Sequence, residues 1–347
     1  MNPYIADIQG QAAALQQALA QFDFSGLAGL ARQLRAGDFD RILITGMGAS
    51  YCAGYPASLQ LAKSGLPVVW SDAAELLHYT PAQLTRRSLL WIISQSGRSV
   101  EVTALLDLAR RQGVEAVLGT TNDLSSPLGQ GAAVAMAIYA EPELTVSTRT
   151  YLNTLASTQL AAVALLGEDL APCRAELESA AGEMAAYLAD WDAQLALAAA
   201  RVGTPPALAL LGRGASLSAA VGGALVLAEA AKYPALGMHT AEFRHGPLEM
   251  AGPGLTVLVY AGAAQTAALN RRMLDDLLAG GSPALWVAVE PPAGLDEAHW
   301  LPLPRAHGAG LPLVEALPAQ LLSVHLAQAR GVTPGKFKFI GKVTLAE

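Results

Sequence analysis

The sequence predicts an α/β protein made of two similar domains in tandem, each a doubly wound parallel sheet. Three observations predict it. An apolar run that ends in a glycine-rich turn, Ile42-Leu43-Ile44-Thr45-Gly46-Met47-Gly48-Ala49-Ser50, returns as Leu208-Ala209-Leu210-Leu211-Gly212-Arg213-Gly214-Ala215-Ser216. The turns open at Gly46 and at Gly212, 166 residues apart, which is too long for a solenoid repeat and the right size for a whole domain. Around each turn, short apolar runs alternate with helix-length segments, as in βα units that build a parallel sheet. Finally, 52% hydrophobic and only 15% charged residues over 347 positions suit sheets covered on both faces and exclude a disordered chain.

Residues 1–36 read as an N-terminal helical segment of one or two amphipathic helices, too short to be a domain. The first domain, 37–170, is expected to run strand 42–45, helix 50–64, strand 67–70, short helix 72–77, strand 89–93, helix 99–111, strand 114–119, strand 133–138 and helix 149–166. A single alanine-rich helix over about 173–200 leads into the second domain, 171–330, and Thr204-Pro205-Pro206 ends it. That domain is expected to hold strand 207–211, helix 216–232, a turn-rich segment to about 254, strand 255–259, helix 264–279, strand 284–288 and helix 312–329. Residues 331–347 form a C-terminal tail carrying Lys336, Lys338 and Lys342.

The charge balance narrows the partners. A net charge of -7, a pI near 5.4 and no cluster of lysines and arginines exclude a nucleic-acid footprint, so a bound anion has to be held by local geometry. Cys52 and Cys173 make neither a disulfide framework nor a thiolate metal site, and a reducing cytoplasm is the expected compartment. The first residues show no basic and then apolar leader, so no secretory signal is expected. The apolar stretch 215–237 is interrupted by Glu229, Lys232, Pro234 and glycines, and reads as a buried helix and not as a membrane span. No His, Cys, Asp and Glu spacing suggests a metal, and no Gly-x-Ser-x-Gly elbow suggests a serine hydrolase.

The sharpest local signal is Leu89-Leu90-Trp91-Ile92-Ile93-Ser94-Gln95-Ser96-Gly97-Arg98-Ser99, a buried strand that ends in hydroxyls and a glycine just before a helix. Ser94, Ser96 and Ser99, the Gln95 amide and the free N–H groups of the helix start would cup a phosphate without net positive charge. The plain alternative is a serine helix cap. Gly46-Met47-Gly48-Ala49-Ser50 alone is weaker: Tyr51 stands where a dinucleotide fingerprint has its third glycine, and only Asp72 could serve as the ribose acid. Glu143-Leu144-Thr145-Val146-Ser147-Thr148-Arg149-Thr150 is a third polar loop opening a helix, with capping as its ordinary role. Glu229 lies in an otherwise apolar helix, where a carboxylate is either solvent-facing or used. His245, in Glu242-Phe243-Arg244-His245-Gly246-Pro247, sits in a turn that can hold an imidazole rigid.

Taken together, these motifs, with Ser147-Thr148-Arg149 and the closing Lys342-Val343-Thr344, resemble the sugar isomerase (SIS) phosphosugar-binding family. The likeness is closest to the isomerase half of glucosamine-6-phosphate synthase, and it runs in order from about residue 20 to the end. The resemblance implies flavodoxin-like SIS domains, a small-molecule sugar phosphate as partner, no cofactor, no metal, no membrane and a homodimer. It places Gly48, Ala49, Ser50, Ser94, Gln95, Ser96, Ser99, Val146 and Ser147 at the sugar and its phosphate. Glu229 falls at the base that moves a proton between C1 and C2, His245 at a ring-opening histidine reaching over from the neighbouring subunit, and Lys342 at a tail lysine that closes over the carbonyl. Ala49 replaces a threonine of the synthase, Arg98-Ser99 replaces Glu-Thr, and Val226 replaces a lysine. No glutaminase half is expected ahead of the first strand. The implied activities are a phosphosugar isomerase or aminosugar-phosphate deaminase, a fructosamine-6-phosphate deglycase, or, outside enzymes, a phosphosugar-binding regulator.

Overall fold

Five strands form the first sheet: β1 (Arg41–Gly46), β2 (Val68–Asp72), β3 (Ser88–Ile93), β4 (Val117–Thr121) and β5 (Val134–Ala137). The computed structural model describes residues 2–339 together with Gly341 and Lys342. All neighbours pair in parallel, in the order β2-β1-β3-β4-β5. The order reverses direction between β1 and β3, and in such sheets ligands bind at that switch point, beyond the carboxyl ends of the strands. Every residue of β3 is buried, which is why its sequence from Leu89 to Ile93 is a continuous apolar run without alternation. Leu43, Leu90 and Ile92 on one face pack with Leu76, Val102, Leu105, Leu106 and Leu128 from the flanking helices. Each such leucine, fully buried, stabilises the fold by about 1.5–3 kcal/mol. Trp91, wholly buried, donates its indole N–H to the Thr120 hydroxyl at 2.9 Å.

The second sheet comprises β6 (Ala207–Gly212), β7 (Ala235–His239), β8 (Leu255–Tyr260), β9 (Ala284–Ala288) and β10 (Trp300–Pro302). Its parallel order, β7-β6-β8-β9-β10, repeats that of the first sheet strand for strand. The protein is thus α/β with two parallel five-stranded sheets. The chain divides into two compact units. One holds Ala14–Glu143, Arg149–Ala175 and the chain from Phe339; the other holds the chain up to Ala13, Leu144–Thr148 and Glu176–Lys338.

Several elements depart from the sequence expectation, the short Pro127–Gly131 helix between β4 and β5 among them. The helix foreseen over 173–200 is two helices, Leu170–Ala189 and Trp191–Val202, because Asp190 leaves helical geometry at φ -99°, ψ 45°. The helix foreseen over 312–329 is likewise two, Leu311–Val314 and Leu317–Ala329, the second starting beside Pro318, where a missing N–H does no harm. The turn-rich segment before 254 contains β7, an edge strand whose partly exposed residues show no apolar alternation. The three-residue β10 was not foreseen. The apolar stretches Gly214–Ala231 and Gly308–Ala329 are long enough to cross a membrane, yet 67% and 83% of them is buried in the fold, as for core helices.

Candidate functional site

The switch point of the first sheet brings two of the predicted loops together. Gly46 pairs across from Ile93, so the turns that follow β1 and β3 leave the sheet side by side. A Cβ on Gly46 would lie 2.7 Å from the Ile93 carbonyl oxygen, so only glycine lets the two strand ends approach this closely. The Gly48–Lys63 helix starts at once, with Gly48 at φ +52°. Gly48 is exposed, and Ala49 and Ser50 are half-buried in the first turn. Tyr51 is a wall residue: its ring stacks on Trp70 at 3.9 Å and 9°, and burial pushes its hydroxyl up to about 12. Asp72 spends its carboxylate on the N–H groups of Ala74 and Glu75, capping the Ala73–His78 helix, which leaves no acid for a ribose.

The β3 loop is rigid and only partly spent. Ser94 is buried and its hydroxyl accepts from the Gly97 N–H at 3.2 Å, while the Ser96 hydroxyl accepts from the Arg98 N–H at 3.2 Å. Gly97 sits at φ +61°, and a Cβ there would overlap the Ser126 hydroxyl and approach the Thr121 hydroxyl to 2.8 Å. Gln95 is half-buried, its carbonyl accepting from the Asn122 N–H at 2.9 Å, and its side-chain amide makes no hydrogen bond among the described residues. Ser99 occupies the N-cap position of the Val100–Gln112 helix in extended geometry, but its side chain makes no capping bond. Ser99 thus stands at the N-cap without closing a side-chain cap. Its hydroxyl, together with N–H groups of the helix start, remains open to an anion. Arg98 is exposed and paired with Asp123 at 2.6 Å.

A buried carboxylate completes this unit. Glu143, its side chain wholly buried, accepts from the Arg149 N–H at 3.0 Å, from the Thr150 hydroxyl, and from the Lys342 ammonium at 2.8 Å. The polar loop does cap a helix, as its sequence suggests. Its pairing with a lysine 199 residues further along carries no local signal, so sequence reasoning missed it. Val343 and Thr344 of the closing motif lie outside the described residues.

The other unit carries the remaining predicted residues. Val146 is buried and Ser147 half-buried within the Leu144–Thr148 stretch. Glu229 is half-buried in the last turn of the Leu217–Ala231 helix, where the helix dipole disfavours a negative charge. Lys232 offsets this. Its backbone turns left-handed at φ +56°, and its ammonium donates to the carbonyls of Glu229 and Lys336. Burial lowers the Lys232 pKa and the Glu229 carboxylate raises it, so the two charges feel each other. Val226 is half-buried on the same helix. His245 is exposed in a turn fixed by its N–H to the Glu242 carbonyl at 2.9 Å, and its ring makes no hydrogen bond among the described residues.

The repeated turn has a different fate. Ser216, the counterpart of Ser50, donates to Oε1 of Glu315 at 2.8 Å. Glu315 is fully buried, its Oε2 has no partner among the described residues, and burial raises its pKa to about 8 against the opposing pull of the Ser216 hydrogen bond.

Residues 38–164, which include β1, β3 and both of the loops described first, match the profile of the SIS domain. Over 318 residues the chain is 28% identical to glutamine–fructose-6-phosphate aminotransferase [isomerizing] of Pyrococcus horikoshii, covering 89% of the chain and 52% of that protein. The chain thus spans about half the length of this relative. Its fold matches the C-terminal domain of glucosamine-fructose-6-phosphate aminotransferase from Francisella tularensis with a TM-score of 0.84 at 23% identity, over 96% of the chain and 98% of that structure. It also matches tagatose-6-phosphate ketose/aldose isomerase from Escherichia coli, with a TM-score of 0.79 at 19% identity, over 97% and 96%. At these identities the two structures establish the fold. The SIS domain therefore covers the β1 and β3 loops, and the second sheet repeats its strand order outside the matched residues.

Proposed function

We propose that the protein is an enzyme that isomerises or deaminates a hexose 6-phosphate by moving a proton between C1 and C2. The observation that carries this is the Ser99 hydroxyl, which makes no capping bond at the N-terminus of the Val100–Gln112 helix and stands at the switch point of the sheet that matches the SIS domain, in the same loop as Ser94, Gln95 and Ser96 and next to the turn of Ser50. A phosphate dianion there gains hydroxyl and backbone N–H donors and a favourable helix dipole, with no need for a lysine or arginine cluster. The similarity to an isomerising aminotransferase supports a ketose 6-phosphate as the kind of substrate.

The remaining roles are those that the family resemblance assigns, and they suit the chemistry. Aldose–ketose interconversion requires one base that takes a proton from one carbon and returns it to the next, the role assigned to Glu229 with Lys232 as its cationic neighbour. His245, exposed on its turn, opens the sugar ring, and in a homodimer it would do so for the partner copy. Lys342 supplies a positive charge near the oxygen on which negative charge develops. Val146 and Ser147 contribute to the sugar pocket. The second sheet, with the same strand order and a matching turn, is a second domain of the same kind.

The test uses the full chain with fructose 6-phosphate, glucosamine 6-phosphate, galactosamine 6-phosphate and fructoselysine 6-phosphate, each in D2O, following isomer, ammonia, amine and deuterium at C1 or C2. The expected result is turnover of one of them with solvent deuterium in the product, lost in Glu229→Gln. Saturable binding of a phosphosugar without turnover or exchange would replace the enzyme by a sensor.

A further inference from the structure

Lys342 does not sit alone. Its ammonium lies 2.8 Å from Oε2 of Glu143, with the lysine side chain 19% exposed and the glutamate side chain wholly buried. The same carboxylate is fixed from two further directions, by the Arg149 N–H at 3.0 Å and by the Thr150 hydroxyl. Arg149 is in turn held by Glu141 at 2.8 Å, at the start of the Arg149–Leu166 helix, whose first turns are almost entirely buried. The acceptor is therefore a rigid point of the unit that also carries the β1 and β3 loops, and the lysine comes from the far end of the chain.

Burying a carboxylate is expensive unless it is paired, and removal of one partner leaves the other charge uncompensated. A helix cap alone needs no charge on this residue, since Ser, Thr or Asn caps as well. A glutamate fully withdrawn from water, with an ammonium on its second oxygen, does more than cap. From this geometry we infer that Glu143 is a positioning residue: it fixes the Lys342 ammonium in place, so that the tail lysine is set before substrate arrives and is not recruited by it. The catalytic part of this inference rests on the function proposed above; the structural part does not. Glu143 needs no contact with the sugar. It acts through Lys342, and a displacement of about 1 Å in such a group is enough to slow a reaction about a hundredfold.

Two measurements test it with Glu143→Gln, Lys342→Met and the double variant Glu143→Gln/Lys342→Met, in which both charges are gone and folding is protected. The first is limited trypsin digestion of the full chain, with the Lys342–Val343 bond followed by mass spectrometry. The expected result is cleavage at least about tenfold faster in Glu143→Gln than in the natural sequence; equal rates overturn the inference whether or not the protein is an enzyme. The second is steady-state kinetics on whichever phosphosugar is turned over. Glu143→Gln is expected to lower kcat as far as Lys342→Met does, about a hundredfold, with KM little changed, and the double variant to be no slower than Lys342→Met. If the losses multiply in the double variant, or if KM rises while kcat holds, Glu143 is not acting through Lys342. Faster cleavage with no substrate turned over would retain the tether and reject the enzyme.

Discussion

Replacing Glu315 by glutamine should stabilise the protein above neutral pH and leave it nearly unchanged in acid. Glu315 is fully buried, donates nothing as a carboxylate, and among the described residues accepts only the Ser216 hydroxyl at 2.8 Å, so its charged form is poorly accommodated. Burial raises its pKa from 4.5 to about 8. The folded state therefore keeps a proton that the unfolded chain releases. Its contribution is fully present below pH 4.5 and is lost as pH rises through 8. At 1.36 kcal/mol for each tenfold change in proton affinity, the loss reaches about 3 kcal/mol at pH 7 and levels off near 5 kcal/mol above pH 9. Glutamine keeps the size and an acceptor oxygen for Ser216 and has no charge to bury. Urea unfolding of the natural sequence and Glu315→Gln, followed by tryptophan fluorescence from pH 4 to 9, reads the difference directly and cancels all other titrating groups. The variant should gain on the natural protein by about 1.4 kcal/mol per pH unit between about pH 5.5 and 7.5. A difference that stays flat across this range refutes the reasoning, because it means that the carboxyl is hydrated or paired.

Other substitutions report on the β3 loop and the base. Ser99→Ala should weaken binding of a sugar phosphate by about 1–2 kcal/mol in titration calorimetry with little change in melting temperature, because the hydroxyl serves no cap. Gly97→Ala should do both harms, lowering the melting temperature and abolishing phosphosugar binding, since a Cβ at φ +61° collides with Ser126. Glu229→Gln should cost about 10²–10⁴ in kcat, measured with the substrate that the natural sequence turns over, while phosphosugar binding persists.

Where the sequence was legible, a physical pattern was strong and local. β3 holds five consecutive buried apolar positions, Leu89 to Ile93, and the repeated Gly-x-Gly turns fix the starts of two βα units, so strands and loops near the switch point were placed to within a few residues. Helix Ala264–Ala279 and strand Ala284–Ala288 were placed in full, because amphipathic and continuous apolar periods differ clearly there. β7 was hidden by Pro234 and Gly237 and by its edge position, where neither face is fully buried. The break at Asp190 was hidden because alanine-rich sequence on both sides favours helix equally. At the candidate site, the serine loop was readable because three hydroxyls, Ser94, Ser96 and Ser99, fall within six consecutive residues directly after an apolar strand. Glu143 with Lys342, and Ser216 with Glu315, were not, since each pair joins residues separated by 199 and 99 positions and no single-sequence pattern encodes such meetings.

The two matching turns have taken different courses. At one sheet Ser50 stands half-buried in the first turn of its helix, whereas at the other Ser216 has already been answered by an acid from its own chain. Such a protein carries its own control experiment: one architecture presented twice, with the turn serine bonded to a buried acid at the second sheet, so that parallel substitutions at Ser50 and Ser216 separate what the shared turn demands from what that acid demands.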